Sequence, residues 1–64
     1  MCEANAYIAV NGNEDIVMKS LDRVEPQPDG TLLLIDIFGN RKTLRGRLKC
    51  MRLVDHRVIF EPAA

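Results

Sequence analysis

Cys2 is the residue best placed to do chemistry in this sequence, because it stands one peptide bond from the amino terminus and heads the run Cys2-Glu3-Ala4-Asn5-Ala6-Tyr7-Ile8-Ala9-Val10. A thiolate there has a chain-end peptide nitrogen beside it, and sulfur, Cβ, Cα, that nitrogen and a metal ion close a five-membered chelate ring. The α-amine of Met1, where that residue is retained, offers a further nitrogen. One chain fills a square-planar site poorly, whereas two chains meeting on a two-fold axis supply paired sulfurs and nitrogens. Planar nitrogen and thiolate donors suit Ni(II) or Cu(II), while Zn(II) prefers a tetrahedron. The competing role is packing, since free cysteine is among the most often buried residue types. Position weighs for chemistry, because chain ends are usually exposed and are a poor place for a core thiol.

The remaining candidates are weaker. Cys50, in Lys49-Cys50-Met51-Arg52, shares the strand phase of Leu44 and Leu48 and is expected to be a buried structural thiol. His56, between Asp55 and Arg57, reads first as a solvated turn residue and second as a ligand. Arg41, Lys42, Arg45, Arg47, Lys49 and Arg52 form a basic stripe that opens an alternative, an RNA-binding or protein-interaction module. Single-stranded RNA binders pair such cations with exposed aromatic side chains. Only Tyr7, Phe38 and Phe60 are present here, the last two inside apolar runs, so a solvated strand face is the plainer reading. No catalytic site is expected: there is one histidine, no glycine-rich phosphate loop, no Cys-x-x-Cys pair and no nucleophile spaced from a base.

The elements that must position these residues are strands. Turn signals recur at short intervals, in Asn11-Gly12-Asn13, Pro26-Gln27-Pro28-Asp29-Gly30, Gly39-Asn40 and Asp55-His56-Arg57. No segment keeps a helical period for long. In the first strand Ala4, Ala6, Ile8 and Val10 alternate with Glu3, Asn5, Tyr7 and Ala9, and Cys2 shares the Ile8 face if the strand extends to it. The second, Asp15 to Glu25, changes phase around Lys19-Ser20 and so predicts a bulge or bend. In Thr31 to Phe38 both faces are apolar, and Leu33, Ile35 and Ile37 are assigned to the core, leaving Leu32, Leu34 and Phe38 for another element or a second subunit. Arg41 to Val54 reads as one strand with Gly46 at an inward position, where glycine commonly marks a sharp coil. Val58-Ile59-Phe60 is a short last strand ended by Pro62. Five or so hairpin-linked strands predict a small all-β antiparallel barrel, closed or half-open.

Sixty-four residues make one domain, 1–64, near the lower size limit for a self-sufficient core. Hydrophobic residues are 47% of the chain but aromatic ones only 5%, so the core must be small and aliphatic, and a homodimer would bury what it cannot. Nine basic residues balance nine acidic ones, which gives no general attraction to nucleic acid or acidic membranes. The lack of a secretory signal or bilayer-length apolar run predicts a cytoplasmic protein with reduced thiols.

Taken together, Met1-Cys2-Glu3-Ala4 at the start, Asp36-Ile37-Phe38-Gly39 in the middle and Leu53-Val54-Asp55-His56-Arg57-Val58 near the end resemble the CooT family of small nickel-binding proteins. The likeness spans nearly the whole chain. It implies a homodimer of Sm-like or SH3-like β-barrels acting as a metallochaperone-like accessory protein that handles Ni(II) for maturation of carbon monoxide dehydrogenase. It implies that the cysteine after the initiator Met, here Cys2, is the nickel ligand, with Met1 a co-ligand by the chelate argument. Nucleic acid and membrane are not expected partners; a nickel enzyme or its maturation proteins are.

Overall fold

The computed structural model describes residues 3–63. Within them the chain forms six strands: β1 (Ala4–Val10), β2 (Asn13–Pro26), β3 (Leu32–Asp36), β4 (Arg41–Leu44), β5 (Gly46–Arg52) and β6 (Arg57–Pro62). They make one sheet in the order β4-β3-β2-β1-β6-β5. The expected all-β class holds, but the antiparallel barrel of about five strands does not. The sheet is mixed, because β1 pairs β6 in parallel through Asn5–Arg57 to Ile8–Phe60. Nor is it closed, since the edge strands β4 and β5 share no ladder. The sixth strand arises because the basic run breaks at Arg45, so that β4 and β5 pair with different partners, β3 and β6.

Local chemistry accounts for the turns. Asn11 and Gly12 both have positive φ, 52° and 83°, the pair of values that a two-residue hairpin between Val10 and Asn13 requires. Asp29 accepts hydrogen bonds from the Thr31 amide (3.0 Å) and hydroxyl (2.6 Å), closing the β2–β3 turn. Asp36 does more at the β3–β4 turn: its carboxylate accepts from the amides of Phe38 and Asn40 and from the Asn40 side chain, all at 2.9 Å. The phase change expected near Lys19-Ser20 is a bulge, with Ala4 opposite Leu21 and Ala6 opposite Met18, and Ser20 at φ 54°.

The core lies where β1, β3 and β6 converge. Ala6, Leu34 and Phe60 are fully buried, with Val17, Met18, Leu21, Leu32, Leu44 and Val58 packed around them. Strands β3 and β6 are not neighbours in the sheet, so contact between Leu34 and Phe60 requires it to curl. A single residue, Arg45, links the two edge strands and pulls them together at that corner, where the Ala63 amide donates to the Arg45 carbonyl (3.2 Å). Gly46 is inward, as expected: a Cβ there would meet the Glu61 carbonyl. The phase of β3 follows expectation only at Ile35, which is buried as assigned. Leu34, assigned outward, is the core residue, while Ile37 and Phe38 lie beyond the strand end and are exposed, Phe38 at 78%. Both faces of β3 are covered in part, since Ile35 is buried too. A run apolar on both faces carries no local signal for which one turns inward.

Candidate functional site

Met1 and Cys2, the two metal-site candidates, lie outside the described residues, so the site is approached from the chain that leads to them. Glu3 is exposed and accepts from the Ser20 hydroxyl (3.3 Å), and β1 starts one residue later. Asn5 is held on both sides: its amide donates to the His56 carbonyl (2.9 Å) and its side-chain oxygen accepts from the Ser20 amide (3.0 Å). The parallel pairing of β1 with β6 therefore sets the β5–β6 turn, Leu53 to His56, directly beside the start of β1. His56 adopts φ 55°, a left-handed conformation in which histidine is over-represented among non-glycine residues.

Ala4, Leu53, His56, Arg57 and Val58 line a recess of about 300 Å³ at this end of the sheet. Arg57 stands at its edge with its guanidinium over the Tyr7 ring (4.6 Å) and Nη1 on Glu14 (3.2 Å). A second recess of about 230 Å³ lies in the gap left by the open sheet, between Val24, Pro26 and Leu32 on one side and Leu48, Met51, Val58 and Phe60 on the other. Every residue lining it is apolar, and Val58 belongs to both recesses.

The other candidates separate. Cys50 is half-buried and free, but does not keep the phase of Leu48: a bulge at Lys49 sets Leu48 opposite Phe60 and Cys50 opposite Ile59. Half the basic stripe is engaged within the fold. Arg47 Nε meets Glu61 (2.6 Å), Arg52 meets Glu14 (3.4 Å), and Lys42 Nζ donates to the Val17 carbonyl (3.3 Å). Among the described residues no three of His, Cys, Asp and Glu gather as a metal cluster, and no helix is long and apolar enough to cross a membrane. The carboxylates are instead held by the fold. Burial pushes Asp36 upward, but hydrogen bonds from Asn40, Phe38 and Gly39 outweigh it and hold its carboxyl below the ordinary value. The Thr31 hydroxyl and amide hold Asp29 down likewise, with a lesser pull from Arg45.

These features define a small all-β domain, a single curled sheet with one recess at the start of its amino-terminal strand and a second, apolar one in the gap of the open sheet. The chain belongs to the CooT family, described as CO dehydrogenase accessory protein CooT, whose family model matches residues 1–61. It is also similar to the crystal structure of a protein assigned as CooT from Carboxydothermus hydrogenoformans, with 38% identity, 98% of this chain and 100% of that chain covered, and a TM-score of 0.88. A comparison with curated proteins gives no match.

Proposed function

We propose that this chain is a nickel-binding accessory protein that handles Ni(II) for maturation of a carbon monoxide dehydrogenase. The observation that carries the reading is family membership over residues 1–61 together with Cys2 directly after Met1. Nickel is cargo here. The Cys2 thiolates of two subunits, with backbone nitrogen and the Met1 amine, form the donor set for one ion shared across a homodimer. The donors suit the metal, because nitrogen and thiolate in a planar arrangement favour Ni(II) or Cu(II) over Zn(II). No acidic cluster competes for the ion among the described residues. The protein's task on this reading is transfer in the cytoplasm, without bond chemistry of its own.

Titration of nickel into the full chain, followed by thiolate-to-metal absorption, tests it. Wild type and Cys50→Ser are expected to bind one ion per two chains, and Cys2→Ser to lose the absorption band. Unchanged binding by Cys2→Ser would refute the proposal.

A further inference from the structure

The β5–β6 turn is fixed beside the start of β1 by two hydrogen bonds, from the His56 amide to the Leu53 carbonyl (3.2 Å) and from the Asn5 amide to the His56 carbonyl (2.9 Å). Both run through the main chain, so the imidazole is not needed to hold the turn. With its backbone tied to β1 and its φ at 55°, His56 shares with Ala4 the wall of the recess of about 300 Å³, and its side chain is exposed. The charges around it do not oppose a cation. Arg57, the cationic member of the lining, is offset by Glu14 (3.2 Å) and lies over the Tyr7 ring (4.6 Å), while Asp55 precedes His56 in the chain. The other lining residues, Ala4, Leu53 and Val58, are apolar and offer an ion no side-chain donor.

Cys2 is two residues from Ala4 in sequence. Covalent geometry alone keeps the two Cα atoms within about 7 Å of each other, whatever path the chain takes. Connectivity therefore brings the thiol, and the parallel pairing of β1 with β6 brings the imidazole, to one end of the sheet. We infer that the His56 imidazole is a nitrogen donor to the metal ion held by the Cys2 thiolate. The inference rests on the nickel reading and deepens it by naming a side-chain nitrogen for the site. Imidazole suits Ni(II) and binds it in its neutral form, whereas a peptide nitrogen must first give up its proton. His56 thus supplies a donor near neutrality that does not depend on whether Met1 is retained.

Nickel titration of the untagged full chain carrying nitrogen-15 histidine tests the assignment. His56 is the one histidine of the chain, so its ring-nitrogen NMR signals need no assignment. They are expected to shift or broaden on addition of nickel. His56→Asn keeps a residue that tolerates the left-handed turn. In competition with a chelator it should bind nickel at least about tenfold more weakly, since even loss of a group that only orients a ligand has an effect of that size. His56→Gly, which also accepts this φ, should recover affinity when free imidazole is added. Ring signals unmoved at saturating nickel, or a folded His56→Asn that binds as tightly as wild type, overturn the inference. A loss of affinity that free imidazole does not restore would place the effect in the turn and overturn the donor role as well. Should neither variant fold, the ring signals of wild type decide. Cys2→Ser separates the two readings: nickel binding that survives in it refutes the nickel site itself. Binding lost in Cys2→Ser but unchanged in His56→Asn refutes the imidazole alone.

Discussion

Asp36 shows how much one residue does in a chain this short. Its carboxylate holds the β3–β4 turn through three hydrogen bonds, and those bonds keep it ionised at lower pH than a free aspartate. Asp29 does the same at the β2–β3 turn. Because the folded-state values lie below the unfolded ones, the stabilisation is complete above the ordinary carboxylate range and is lost as pH falls through the lowered values. Urea midpoints should therefore hold steady near neutrality and drop below about pH 4. Asp36→Asn should be clearly less stable than wild type at pH 7, with the difference shrinking toward pH 3; a gap independent of pH would show that the charge is not what matters. At this scale the sequence was a good guide where the signal was local. The turn position of His56 was legible, whereas the facing of Cys50 was not, because the bulge at Lys49 shifts its phase and leaves no compositional mark.

Among the elements, β2 is shaped by its bulge and β5 by its first residue. Ser20 occupies the left-handed region, where a β-branched side chain is crowded against the following carbonyl. Ser20→Gly is expected to leave thermal stability unchanged or raised, and Ser20→Val to lower it by about 1–2 kcal/mol. Gly46 has no room for a methyl group, because the Glu61 and Pro62 backbone of β6 lies against it, with the Glu61 carbonyl carbon 3.3 Å from where a Cβ would sit. Gly46→Ala should cost about 1–3 kcal/mol by urea unfolding through displacement of β5 from β6. Loss of less than half a kcal/mol would mean that the strand pair shifts freely. The inward position of Gly46 could be read from alternation; the division of its run into β4 and β5 could not, since it depends on two different partner strands.

The whole molecule depends on very little interior. Phe60 is the largest fully buried side chain and joins β6 to Leu34 of β3 across the curl of the sheet. Phe60→Ala should cost about 3–5 kcal/mol, a large part of the stability of any small domain, and is expected to leave the chain largely unfolded at 37 °C by circular dichroism. Family membership and the nickel proposal both direct attention to the amino-terminal end, and the fold brings the β5–β6 turn and the recess lined by Ala4, Leu53, His56, Arg57 and Val58 to the start of β1. The sequence by itself determined the all-β class, the hairpin turns and the bulge in β2. Each follows from residues within a few positions of one another, through φ preferences and side-chain alternation. Only the tertiary structure decided that β6 lies parallel to β1, that Leu34 turns inward and that the sheet stays open between β4 and β5. Pairing between strands distant in sequence is chosen by the packing of all of them together, and no single stretch of the chain encodes it.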